Sequence, residues 1–448
     1  MAKKIKSTKP PISDEILKFN FKKYFSETIN ENVKFYYFGD KNQPLFSLRL
    51  FSKNDALYTA LPGLANLAAQ LTTKGTRKFT SLKIAEEVDY IGGNVNGSSS
   101  SDAIIWTIES LSKYTEKAIK ILSACINEPS FPEKETDIMK SRTIADIRQQ
   151  KAEPAYLAKL AFLRAFYQNH PYCYPAVGTE QIIQELNSES CSEWHFNLLE
   201  ESKFTIIASG NIENRELLNL ISKYFSFKNL KPKKSNYLHA KTDDSSKIVV
   251  AKKPGAEQTA IRIGIKSIGP EHPDYPALTL ANTLFGGFFM SRLNAVLREK
   301  HGYTYGVHSF IDHRILNSSL IITTSVKKSA TRDSIRIIID EMEKFSKYKV
   351  SKEEFQRARR YNLGSFLRNT ETNFQLMSLL GTIDLFNLKK KFFENSYNSI
   401  AALGIDDLFK IQKKYFKPEN LTIAAAGDTK YFTKELKVFG DVNEIEIK

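Results

Sequence analysis

Two hydrophobic rhythms alternate along the chain. Phe46, Leu48 and Leu50, and later Ile261, Ile263 and Ile265, put an apolar residue at every second position, the period of a strand with one face buried. Leu64, Leu67, Ala68 and Leu71 fall instead at i, i+3, i+4 and i+7, which predicts one apolar helical face. Pro62 suits the first turn of that helix. Asn66, Ala69 and Gln70 share a different face of it. Each half of the chain reads as strands, a helix, a strand pair, long amphipathic helices and a closing strand that ends in Gly210-Asn211 or Gly427-Asp428, both turn signals.

The two halves are copies. Phe204-Thr205-Ile206-Ile207-Ala208-Ser209-Gly210-Asn211 returns as Leu421-Thr422-Ile423-Ala424-Ala425-Ala426-Gly427-Asp428, an offset of 421 − 204 = 217. The same offset pairs Tyr58-Thr59-Ala60-Leu61 with Tyr275-Pro276-Ala277-Leu278, and Phe46 and Leu48 with Ile263 and Ile265. Strands and helices that do not alternate strictly predict an α+β fold of two duplicated domains, each a mainly antiparallel sheet with helices packed on one face. The expected division is residues 20–227, a polar linker at 228–247 rich in Lys, Asn, Ser and Asp, and residues 248–448.

A length of 448 residues requires more than one ordinary core. No stretch approaches the roughly 18 to 20 uninterrupted apolar residues of a membrane span. Met1 to Lys6 is basic but lacks the apolar run of a secretory signal, so a cytoplasmic chain is expected. Cys125, Cys173 and Cys191 are odd in number and scattered, which suits a reducing compartment and argues against a disulfide framework. The net charge of +15 is spread, with short runs only at Lys231 to Lys234 and Lys389 to Lys391. No nucleic-acid module accompanies it, and an acidic substrate or partner is the more informative reading.

The helix around Asn66 resembles a specific family. In insulinase and mitochondrial processing peptidase relatives, the inverted zincins, His-x-x-Glu-His stands between a Gly-Leu and a Lys-Gly-Thr, here Gly63-Leu64 and Lys74-Gly75-Thr76. Two imidazoles one turn apart reach one zinc, and the Glu acts on its bound water. Asn66, Ala69 and Gln70 hold those three positions here, and Asp146 stands where the family's downstream Glu ligand aligns. Amides are poor zinc ligands and Ala accepts no proton, so no metal is expected in this chain. His301, His308 and His313 lack the spacing and the acid that would replace the site.

The resemblance extends from about residue 25 to 430. Ile91-Gly92-Gly93-Asn94-Val95-Asn96-Gly97 and the strand after it are similar to the family segment whose sheet edge accepts substrate as an added strand, a mode open to any extended peptide. It implies contacts at Gly93, Asn96, Ser99 and Ser100. Pro129-Ser130-Phe131, Ala152-Glu153-Pro154 and His170-Pro171-Tyr172 match further landmarks, with His170 architectural. Arg298-Glu299-Lys300-His301-Gly302-Tyr303-Thr304-Tyr305 keeps the family's second signature, on a helix stopped by Gly302 and a strand starting at Tyr303. In the family that Arg and Tyr lie across the cavity from zinc and hold the substrate carbonyl.

With Arg298 and Tyr305 kept and the zinc motif lost, the resemblance implies the non-zinc subunit of a heterodimeric zinc peptidase. A homologous His-x-x-Glu-His subunit would supply the zinc, and a peptide would be the substrate. A scaffold or assembly protein with the same fold is the alternative. Neither nucleic acid nor membrane is expected as a partner.

Overall fold

The computed structural model describes residues 16–53, 60–227, 232 and 247–447. Tyr58 and Thr59, the Lys231, Lys233 and Lys234 charges and nearly all of the 228–247 linker lie outside the described residues. The strands form two six-stranded sheets. The first holds β1 (Phe25–Asn30), β2 (Val33–Gly39), β3 (Leu45–Lys53), β4 (Asn94–Ser99), β5 (Ile104–Leu111) and β6 (Lys203–Gly210) in the order β1-β2-β6-β3-β5-β4. The second holds β7 (Lys247–Lys252), β8 (Gln258–Ser267), β9 (Val307–Asp312), β10 (Ser318–Lys327), β11 (Thr422–Gly427) and β12 (Val442–Glu444) in the order β12-β7-β11-β8-β10-β9. Both closing strands run parallel to one neighbour and antiparallel to the other. The duplicated α+β architecture read from the sequence is present.

The repeat is less regular than its offset. β6 and β11 correspond at 217, yet Leu48 pairs with Ala208 whereas Ala425 pairs with Ile261. Leu48 therefore corresponds to Ile261, an offset of 261 − 48 = 213. The matching of Phe46 and Leu48 to Ile263 and Ile265 is thus slipped by four residues. Period-two alternation is blind to an even slip, because each side chain keeps its face.

Each sheet carries its own helices on one face, as expected, and its other face, which the sequence left open, is covered by a helix of the other half. The functional elements use α1 (Leu64–Leu71), α2 (Thr115–Asn127), α3 (Glu133–Lys151), α4 (Pro154–Tyr167), α5 (Ser188–Glu201) and α6 (Asn373–Leu385). The first sheet's own helices, including α2, pack on Leu48, Leu50, Trp106 and Ile206. Ile207, on the opposite face, joins the core of the second half, which includes Met377 and Leu380 of α6. Conversely, Phe162 and Phe166 of α4 pack on Val249, Ala260, Ile321 and Ala424 of the second sheet. Each half therefore lends a helix to the other's sheet. Buried Asp384 on α6 fixes one exchange, accepting from Lys34 Nζ at 2.7 Å and from the Thr205 hydroxyl at 2.7 Å.

Candidate functional site

Local sequence places α1 deep in the first half. Gly63 caps it with φ of 96°, and a Cβ there would stand 2.6 Å from Ile183 and 2.8 Å from the Val177 carbonyl. Glycine is required at such a position. Pro62 precedes this cap and is not in the first turn, which begins at Leu64. Gly63 takes the left-handed turn that Pro62 cannot.

Asn66 and Gln70 of α1, Asp146 of α3 and Asn96 of β4 line one cavity of about 300 Å³, with Lys74 and Arg142 also in its wall. The structure thus gathers the degenerate metal positions that are one helical turn and a separate helix apart in sequence. Asn66 is buried, and its Oδ1 accepts the Ser99 backbone N–H at 3.3 Å. Ala69 faces the sheet core instead, fully buried. Its carbonyl lies 2.0 Å from where a Cβ on Gly97 would sit, so β4 rests directly on α1.

These residues do not fit a zinc ion. Two amides, one carboxylate and two nearby cations replace the three anionic or imidazole ligands such a site needs. Among the described residues no group of three or more His, Cys, Asp or Glu side chains could hold a metal. His301 rests against Tyr303, and His313 Nε2 meets the Tyr275 hydroxyl at 2.9 Å, so these two histidines serve separate contacts.

β4 is the edge of the first sheet. The four contacts expected on it and at its two ends are divided. Asn96 faces the α1 cavity, Ser99 and Ser100 face a small neighbouring hollow beside Pro62 and Tyr172, and Gly93 faces a third cavity beside Phe374 of α6. Ser100 Oγ accepts the N–H groups of Asp102 and Ala103 at 3.2 and 3.0 Å, which fixes the β4–β5 turn. His170 is architectural, as its motif implies: Nδ1 accepts the Tyr172 N–H at 3.1 Å.

The second half offers a different surface. Arg298 lies in a π-helical segment, Asn294–Lys300, ended by Gly302 at φ of 62°. Such widened turns frequently occur at functional sites. The Arg298 guanidinium carbon stands 4.1 Å above the Phe289 ring, 3.6 Å separates its Nη1 from Glu299, and that nitrogen has no hydrogen-bond partner. Phe289 and Met290 are both exposed.

Tyr305 is 92% exposed. The strand expected from Tyr303 begins only at Val307. Residues before it are held as a loop, because the Thr304 hydroxyl donates to the Gly306 carbonyl at 2.9 Å and accepts its N–H at 3.1 Å, a local side-chain competition with the sheet ladder. Asn294 ties this loop to the helix, donating to the Val307 carbonyl at 2.9 Å and accepting the Val307 N–H at 3.1 Å. Sequence reading missed Asn294 and Thr304. The signal available for Asn294 was a polar residue on a helix otherwise buried through Leu293 and Leu297.

Comparisons with known proteins bear on the family and the fold. A family model described as Insulinase (Peptidase family M16) matches residues 58–180, and one described as Peptidase M16 inactive domain matches residues 185–362. An uncharacterized zinc protease YmxG of Bacillus subtilis is 23% identical over 338 residues, 75% of this chain and 82% of that protein. A non-peptidase homolog YmxG of Helicobacter pylori is 22% identical over 312 residues, 69% of this chain and 72% of that protein. The crystal structure of a peptidase M16 inactive domain from Pseudomonas fluorescens superposes with a TM-score of 0.82 at 21% identity, covering 90% of this chain and 98% of that one.

Proposed function

This chain belongs to the insulinase (peptidase M16) family, and on that premise we propose that it is the non-zinc subunit of a two-chain zinc peptidase. A homologous His-x-x-Glu-His subunit supplies the metal. Arg298 and Tyr305 donate to a peptide carbonyl opposite it, where a guanidinium and a phenol steady the charge of a tetrahedral intermediate. The β4 edge, with Asn96, Ser99 and Ser100, accepts the peptide as an added strand.

One contrast carries this reading. The cavity that gathers Asn66, Gln70 and Asp146 also holds Lys74 and Arg142, a wall unsuited to a divalent cation. Tyr305, by comparison, stands 92% exposed on a loop braced by Thr304 and Asn294. A braced loop that presents an exposed phenol is suited to meeting something outside the chain.

The test is steady-state cleavage of a quenched fluorescent peptide by this chain paired with a His-x-x-Glu-His relative from the same genome. Arg298→Ala should lower kcat/KM by about a hundredfold, the scale of one lost transition-state donor, with unfolding unchanged. Tyr305→Phe should lower it less. An active pair indifferent to both substitutions refutes the roles given to Arg298 and Tyr305 and leaves a scaffold.

A further inference from the structure

Beside Tyr305 lies a cavity of about 400 Å³ between the start of α4 and the β8, β10 and β9 strands. Ala155 and Ala158 line it on the helix side, and their small side chains leave the room. Its floor is one cross-strand row, in which Thr323 pairs with both Arg262 and His308. Gln258, Ser325 and Thr304 add polar groups around the row.

The charges here do not balance. Arg262 is only partly exposed, and its Nε is buried without a hydrogen-bond partner. Its guanidinium is 5.3 Å above the Phe162 ring and 5.6 Å from that of Phe310. Arg314 and Lys159 stand close by. Burial first, then the charges of Arg262 and Arg314, pull the Lys159 ammonium below its ordinary pKa. Asp312 is the carboxylate near this group, and it is engaged by Arg314 Nε at 3.1 Å. Among the described residues, neither Arg262 nor Lys159 has a carboxylate within ion-pair distance. Arg262 lines the cavity with no carboxylate of its own, so a ligand's carboxylate there would form charge-assisted hydrogen bonds with the guanidinium.

We propose that this cavity is an anion subsite that takes a carboxylate of the bound peptide, with Arg262 as its anchor and Lys159 and His308 around it. The inference rests on the reading that peptide binds beside Tyr305, and it gives that peptide a chemical class: acidic. The carboxylate comes from an internal Asp or Glu side chain or from the peptide's own C-terminus. A chain of net charge +15 steers such ligands towards itself.

The experiment uses the full chain alone and measures binding of labelled extended peptides by fluorescence anisotropy. Three otherwise neutral probes are compared: one with a central Gln and an amidated C-terminus, one with that Gln replaced by Glu, and one with the C-terminal carboxylate free. One acidic probe should bind about tenfold tighter than the neutral amide, the scale of a charge-assisted hydrogen bond, and which one it is identifies the source. Arg262→Gln should abolish the preference, and Arg262→Lys should retain part of it. Equal binding of all three by the unmodified chain, no binding of any, or a preference that survives Arg262→Gln would overturn the subsite. The Gln-to-Glu comparison stands even if the variants fold poorly. The pair assay separates the two claims. Cleavage by the pair without an acidic preference removes the subsite alone. An inert pair with an Arg262-dependent acidic preference removes the peptidase-subunit reading alone.

Discussion

The edges of the two sheets, related by duplication, have been treated in opposite ways. At β4 the strand is pressed onto α1, with Gly97 against the Ala69 carbonyl and Asn66 capping the Ser99 N–H. At the entrance to β9 there is room beside Gly306: a Cβ there would come no closer than 3.8 Å to His308. The resemblance puts the family's metal chemistry beside the first edge, and here Asn66, at one of those positions, is engaged by the Ser99 N–H. The second edge leaves Tyr305 exposed and the Nη1 of Arg298 without a hydrogen-bond partner, 3.6 Å from Glu299. A side chain engaged within the chain, as Asn66 is, suits a structural role, and an exposed phenol on a braced loop suits recognition.

The sharpest break of this comparison is a pair of glycine substitutions. Gly97→Val should cost about 3 kcal/mol or more, since backbone cannot retreat from the added carbons. Gly306→Ala should stay within about 0.5 kcal/mol, as expected where nothing is crowded. Urea unfolding reads both, and similar costs would contradict the contrast.

Acid should loosen the closed side. His195 on α5 is buried against Trp106 and Phe131, with Nε2 2.8 Å from the Ile126 carbonyl and Nδ1 unpartnered. Burial pulls its pKa from 6.5 to about 4. The unfolded chain therefore binds the proton first, so the stability held above pH 6.5 drains away as pH falls towards 4. The loss reaches about 3 kcal/mol at the low end. A His195→Gln variant should lose most of that pH dependence, and unfolding midpoints between pH 7.5 and pH 4 would show it.

A smaller effect separates the two polar sets. Asn66→Ala should cost about 1 kcal/mol by uncapping Ser99. Tyr305→Phe should leave the melting temperature unchanged, because its exposed hydroxyl supports nothing within the chain. A destabilised Tyr305→Phe would make that residue structural.

Much of this was legible in the sequence. The alternation of β3 and β8 and the apolar closing strands mark the two sheets, and the resemblance that aligns Asn66, Gln70 and Asp146 with the family's metal positions implies the cavity they share. The four-residue slip between β3 and β8 was hidden because it preserves facing. The exchange of α4 and α6 left a readable trace: Leu157, Ala158, Leu160, Phe162 and Phe166 are buried nearly all round α4, the mark of a helix covered on more than one side. Arg262 left none, since a single Arg in an alternating strand does not reveal that its Nε is buried and unmatched. The late start of β9 came from Thr304, whose hydroxyl outcompetes the ladder in a segment with a Tyr-rich, strand-like composition.

The central claim is that the metal chemistry has left this chain while its opposite wall remains. Zinc content, measured on the purified chain alone and on the chain paired with a His-x-x-Glu-His relative, tests it most directly when peptide cleavage is followed in the same samples. A zinc-free, inert single chain and a zinc-bearing, active pair are predicted. A single chain that binds zinc stoichiometrically and cleaves would contradict the assignment of Asn66, Ala69 and Gln70 as a lost site.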